Sequence, residues 1–143
     1  MSLIDELKLH EGFRSKPYKC TEGYLTIGYG QRLEYIEVDE KTAEKWLMDK
    51  VEKIKYKLES KFPWYLKAPK EVQEIVINMS YQMGVSGFSK FRKTIKYLEQ
   101  GLYHKASNEM LDSLWSKQTP ERSKELSDKL KKNRRKVNGI HNE

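Results

Sequence analysis

Three side chains near the N-terminus are of types that could do chemistry together: Glu11, Cys20 and Thr26. Cleaving a glycosidic bond takes a proton donor on one side and a base or nucleophile on the other. A carboxylic acid set in a partly apolar wall can be that donor. Glu11 stands between His10 and Gly12, with Phe13 next and several tyrosines close behind. Cys20 could act as a thiolate nucleophile or as a base, and Thr26 could position a water. Plainer alternatives stand beside these. A lone Glu after a helix is most often a solvated end residue, and a lone Cys is most often a small core hydrophobe. On type and spacing alone the plainer alternatives prevail.

The surrounding pattern says which elements would hold the three residues. Ser2, followed by Asp5 and Glu6, predicts a capped helix start with acids in its first turn. Leu3, Leu7 and His10 share one face, with Ile4 and Glu11 beside them, and Gly12 ends the helix. From Pro17 to about Leu33, Tyr18, Tyr24, Leu25, Ile27 and Tyr29 alternate loosely with polar residues around Thr21-Glu22-Gly23. That predicts a short hairpin or meander, with Cys20 and Thr26 on opposite arms. Asp39 can cap a long helix carrying Ala43, Trp46, Leu47, Val51, Ile54 and Leu58 at helical spacing, closed by Pro63 and Pro69. Val72, Ile75, Val76, Met79 and Met83 mark the next helix, stopped by Gly84, with a loop over 84–88. Ile95 and Leu98 lie on a further helix ending at Gly101. Tyr103, Ala106, Met110, Leu111 and Leu114 mark another, and Pro120 can open a last one. The fold class is α+β, mostly helical, with one small sheet near the N-terminus.

The chain has 143 residues, 37% hydrophobic and 11% aromatic, which suits one domain with its own core and argues against wholesale disorder. No apolar run approaches the ~20 residues of a membrane span. The first six residues are acidic and lack an apolar stretch, so no signal peptide is expected. The one cysteine excludes an intramolecular disulfide, and His10, His104 and His141 have no partners at ligand spacing, so no metal and no cofactor is expected. Gly28-Tyr29-Gly30 lacks the continuing pattern of a phosphate loop. The net charge is +7. Between Glu121 and Lys136 eight Lys and Arg stand against three acids. That segment reads either as a solvated helix face or as a contact for an anionic partner: nucleic acid, a lipid surface or a polysaccharide.

The run His10-Glu11-Gly12-Phe13-Arg14, then Pro17 to Gly23, then Leu25-Thr26-Ile27-Gly28-Tyr29-Gly30, resembles the phage-type lysozymes, glycoside hydrolase family 24. Their pattern of Glu, eight residues, Asp or Cys, five residues, Thr is matched by Glu11, Cys20 and Thr26 in type and spacing. Ile77 to Gly84 resembles the family's central helix, and Phe91-Arg92-Lys93-Thr94-Ile95 its Phe-Arg-x-Ser/Thr segment. Trp115 to Arg122 is similar to the Trp-x-x-Gln-Thr-Pro-x-Arg run of the T-even members. The resemblance implies a single lysozyme-like domain over 1–143. Its small β-lobe would span about 12–60, and its helical lobe about 64–136 plus residues 1–11, with a long helix connecting them. It implies Glu11 as general acid, Cys20 where Asp is commoner, and Thr26 supporting the attacking water. Arg122 matches the arginine that pairs with the catalytic Glu. Gly30, Arg32, Tyr81, Thr94 and Thr119 fall at cleft positions. Read as plain residues, Tyr81 is a core residue and Thr119 a helix cap. Cys20, Gln31, Arg32 and Glu109 depart from the commoner family residues, the last on the peptide-stem side.

The resemblance implies a muramidase of the endolysin kind, cutting the β-1,4 bond between N-acetylmuramic acid and N-acetylglucosamine for host cell lysis. The expected partners are peptidoglycan strands, with no specific nucleic acid, a weak anionic-membrane contact by the basic C-terminal segment, a monomeric state, and a separate holin-type pore. The enzyme would wait in the host cytoplasm and act in the periplasm. Two alternatives stay open on the sequence. A lytic transglycosylase would use Glu11 alone, with Cys20 a bystander, and a non-enzymatic basic protein would bind glycan or nucleic acid. No helix-turn-helix, zinc-finger or RNA-recognition signature supports nucleic-acid binding.

Overall fold

A computed structural model of the chain describes residues 1–133, 135–137 and 140–142. It is mostly helical, with a three-stranded antiparallel sheet near the N-terminus, as expected for the α+β class. Its contacts divide the chain into two compact units, Met1–Glu44 and Lys45–Glu143.

The first unit opens with α1 (Leu3–Glu11). The Ser2 hydroxyl accepts the Asp5 amide at 3.1 Å, and Gly12 closes the helix by donating to the Lys8 carbonyl at 2.9 Å. Strands β1 (Arg14–Lys19), β2 (Leu25–Gly28) and β3 (Gln31–Arg32) come next, in that order in the sheet. β1 starts at Arg14, earlier than the expected Pro17, and the ladder is irregular between Arg14 and Tyr18. Pro17 lacks an amide proton for the ladder. Tyr18 faces Thr26, and Thr26 faces Arg32. Thr26 is the one buried residue in 1–44.

Helix α2 (Glu40–Lys61) begins in the first unit and continues into the second. Asp39 caps it, accepting the Thr42 amide at 3.1 Å. Hydrogen bonds from Thr42 hold the Asp39 carboxyl below the ordinary carboxylate range. Ile54 and Leu58 are the buried positions of α2. They meet the apolar stripe of α3 (Lys70–Phe88) in a core that takes in Phe88, Leu98, Tyr103, Ala106, Met110, Leu126 and Leu130. Each large apolar side chain contributes about 1.5–3 kcal/mol by leaving water. Gly84 breaks α3 with φ +80°, a left-handed geometry that suits glycine. The expected loop over 84–88 is corrected in part, because a helical turn resumes at Val85 and runs to Phe88.

Helices α4 (Arg92–Glu99), α5 (Tyr103–Leu111), α6 (Leu114–Gln118) and α7 (Pro120–Lys131) complete the helical part of the unit. The spacing predicts Leu114 on the helix of Tyr103. Instead α5 ends at Leu111, and Ser113 starts a new helix by accepting the Ser116 amide at 3.1 Å. Pro120 opens α7 at its first turn, as its fixed φ favours. α7 stops at Lys131, within the basic segment. Strands β4 (Arg135–Val137) and β5 (Ile140–Asn142) pair antiparallel beyond it. Arg134, part of the basic segment, lies outside the described residues.

Candidate active site

In the first unit the end of α1 delivers Glu11 to Gly30, just after β2. A Cβ built on Gly30 would lie 2.5 Å from Glu11 Oε2 and 3.2 Å from the carboxyl carbon. Gly30 also has φ +74°. Its lack of a side chain is therefore required twice, by the backbone and by the carboxylate packed on it. The glycine leaves the space in which the Glu11 carboxyl lies, while Glu11 itself remains exposed.

Cys20 and Thr26 meet across the β1–β2 turn. The Cys20 amide donates to the Tyr24 carbonyl at 2.9 Å, and the Gly23 amide donates to the Cys20 carbonyl at 2.9 Å. The tight turn aims backbone amides at the thiol. Hydrogen bonds from the Tyr24 and then the Glu22 backbone hold the Cys20 thiol below its ordinary range; burial opposes them, and the Thr26 hydroxyl adds a lowering smaller than the effect of burial. Thr26 is 2% exposed, and its hydroxyl donates to the Tyr24 carbonyl at 2.9 Å. That hydroxyl has one proton, so turning it from Tyr24 to Sγ stabilises the thiolate. Arg32, cross-strand from Thr26, lies 3.5 Å from the centre of the Tyr24 ring and 5.0 Å from that of Tyr35, and pairs with Glu34. Cation–π contact thus holds its guanidinium within this unit.

The remaining expected residues belong to the second unit. Tyr81 is half-buried beside the core, with the Lys50 ammonium 4.1 Å over its ring. It shares a groove of about 530 Å³ with Leu47, Val51, Ile77, Asn78 and Arg122. Arg122 donates through Nε to Asn78 Oδ1 at 2.9 Å and through a terminal nitrogen to the Asn78 carbonyl at 3.0 Å. Thr94 is buried and lines a second cavity of about 350 Å³ with Phe91, Glu109 and Trp115. Thr119 sits at the cap between α6 and α7, as its plain reading expects, but its hydroxyl donates back to the Trp115 carbonyl at 3.0 Å and makes no cap bond to α7. Trp115 is itself pinned by Gln82, whose Oε1 accepts its indole proton at 2.9 Å. Tyr24, Asn78 and Gln82 were not singled out from the sequence as supporting groups. Asn78 and Gln82 are exposed polar residues four apart within the apolar stretch 75–83 of α3, and that spacing was a usable signal.

In the first unit a carboxylate packs on a glycine, with a thiol and a hydroxyl in the adjoining hairpin, types that can serve acid–base chemistry. The chain belongs to the phage lysozyme family, whose model matches residues 8–137. It is accordingly a lysozyme-type glycoside hydrolase acting on peptidoglycan. Among known proteins it is 33% identical to probable T4-type lysozyme 1 of Dictyostelium discoideum, over 85% of this chain and 89% of that protein. Probable T4-type lysozyme 2 of the same organism is 31% identical over the same shares. The pre-baseplate central spike protein Gp5 of Enterobacteria phage T4 is 30% identical, over 89% of this chain and 27% of Gp5.

Proposed function

We propose that the chain is an endolysin-type muramidase that hydrolyses the β-1,4 bond between N-acetylmuramic acid and N-acetylglucosamine, serving host cell lysis. The packing of the Glu11 carboxylate on Gly30 carries this reading, because a side chain at position 30 would occupy the place where the acid lies. Glu11 gives its proton to the glycosidic oxygen as the bond to the leaving sugar breaks. The Cys20 thiolate, favoured by the Tyr24 and Glu22 amides, supplies negative charge opposite the developing oxocarbenium ion, and Thr26 Oγ1 orients the incoming water. Water adds to the anomeric carbon and gives up one proton to the Cys20 thiolate, so the product is a reducing sugar. The lowered Cys20 thiol supports a working rather than a bystander role.

The test is digestion of purified Gram-negative peptidoglycan by wild type and Glu11→Gln, with products read by mass spectrometry. Reducing muropeptides from wild type, with a loss of about 10³-fold or more in the variant, are expected. Anhydro products, one water lighter, would overturn hydrolysis in favour of transglycosylation. An active Glu11→Gln protein would remove Glu11 from the role of acid.

A further inference from the structure

Helix α2 carries a stripe of residues with no role in the proposed chemistry. Trp46, Lys50, Lys53, Lys57 and Lys61 are spaced by four, three, four and four residues. At 3.6 residues per turn they fall within an arc of about 80° and run about 22 Å along the axis. The helix also holds Glu40, Glu44, Asp49, Glu52 and Glu59, yet none of these carboxylates falls in that arc. All five stripe residues are exposed, Trp46 by 59%. Among the described residues no ion pair involves a stripe lysine, whereas Lys55, off the stripe, pairs with Glu52 at 3.4 Å. Like charges three and four apart repel, and an exposed indole leaves apolar surface in water. Both features cost stability in the free protein and gain from an anionic partner with flat apolar faces. The Lys50 ammonium over Tyr81 joins the stripe to the edge of the 530 Å³ groove.

We propose that this stripe is a second holding surface for peptidoglycan, in which Trp46 stacks on a sugar face and Lys53 and Lys57 pair with carboxylates of the peptide stems. The proposal rests on the family's action on peptidoglycan and assigns residues other than Glu11, Cys20 and Thr26. Aromatic faces suit the apolar side of a sugar ring, and spaced ammonium groups suit a chain carrying carboxylates at intervals. The stripe raises the enzyme's residence on an insoluble polymer and leaves the bond-breaking step alone.

The experiment compares wild type, Trp46→Ala, the double variant Lys53→Glu/Lys57→Glu and a charge-matched control, Lys124→Glu/Lys131→Glu on α7. Each is scored for folding by circular dichroism, for cosedimentation with insoluble peptidoglycan on ice, and for hydrolysis of short soluble muropeptides. The stripe variants should bind insoluble wall about tenfold more weakly, and the double variant should lose the salt sensitivity of binding. Their rate on soluble fragments should stay at the wild-type value, and the α7 control should bind normally. Equal weakening by the α7 control would reduce the effect to net charge and overturn the proposal. So would tighter stripe-dependent binding to anionic phospholipid vesicles or to RNA than to wall. Stripe-dependent sedimentation by a protein that cleaves neither substrate would support the stripe and break the muramidase assignment instead.

Discussion

The two units of this chain are held together by different means. In residues 45–133 eighteen buried hydrophobic residues form one cluster, although Trp46, Tyr56, Leu66 and Leu114 stay exposed. In residues 1–44 the only buried residue is Thr26, and Leu3, Ile4, Leu25 and Phe13 are all exposed. What organises that unit is short-range and polar or aromatic. It includes the Ser2 cap, the turn at Cys20 to Tyr24, the packing of Phe13 on Tyr29 at 5.5 Å, and the seating of Arg14 and Arg32 on tyrosine rings. The groups assigned to chemistry sit in the unit with little core. A site needs exposed, hydrogen-bonded groups at fixed angles, whereas a core needs them excluded, so one region cannot maximise both.

The contrast is broken most forcefully through the core. Phe88 is fully buried and packs edge-on to Phe62 at 5.8 Å and stacked on Phe91 at 6.5 Å. Phe88→Ala should cost about 3–5 kcal/mol in urea unfolding, whereas Leu25→Ala, at a position 51% exposed, should cost under about 1 kcal/mol. Comparable losses at the two positions would mean that the first unit hides a core of its own.

Gly30 sharpens the comparison from the other side. Gly30→Ala puts a methyl where the Glu11 carboxylate lies, 2.5 Å from Oε2, on a backbone with φ +74°. The backbone strain is about 1–2 kcal/mol. Because Glu11 is exposed and can swing away, most of the damage should appear in kcat, with a loss of about 100-fold and a much smaller change in KM. A variant with reduced stability but undiminished kcat would show that the glycine serves the turn alone.

Elements with strong periodicity are legible from the sequence. α2 is readable from Ala43 to Leu58, as is its Asp39 cap, because burial of one face repeats at helical spacing. Breaks that preserve that spacing are not. Met110, Leu111 and Leu114 keep three- and four-residue intervals across the end of α5, so the start of α6 at Ser113 is hidden. Gly84 is legible as a stop, but the turn resuming at Val85 depends on tertiary packing of Phe88. The pairing of β4 with β5 is concealed by the charged and polar residues around it, which carry no strand alternation. Within the site, the opposite arms of Cys20 and Thr26 come directly from the turn at Gly23. The closeness of Gly30 to Glu11 does not, because it joins a helix end to a segment nineteen residues on.

The smallest effect expected tests the polar logic of the first unit directly. Cys20 is the only cysteine, so alkylation by iodoacetamide reports its ionisation without interference. Its thiol is held low by the Tyr24 and Glu22 amides first and by Thr26 after them. The thiolate is the reactive form, so the alkylation rate of the native protein should reach its half-maximum at a lower pH than that of the urea-denatured chain. The linkage has the matching sign. A group whose folded pKa is depressed stabilises the fold above its unfolded pKa, and that contribution fades as pH falls through the folded value. Thr26→Val keeps the buried shape and deletes the hydroxyl, so the native midpoint should rise only part of the way toward the denatured one, since both amides remain. Identical midpoints for native and denatured chains would show that the turn does not tune the thiol. A full return to the denatured midpoint in Thr26→Val would reverse the order, making the hydroxyl rather than the backbone the group that sets it.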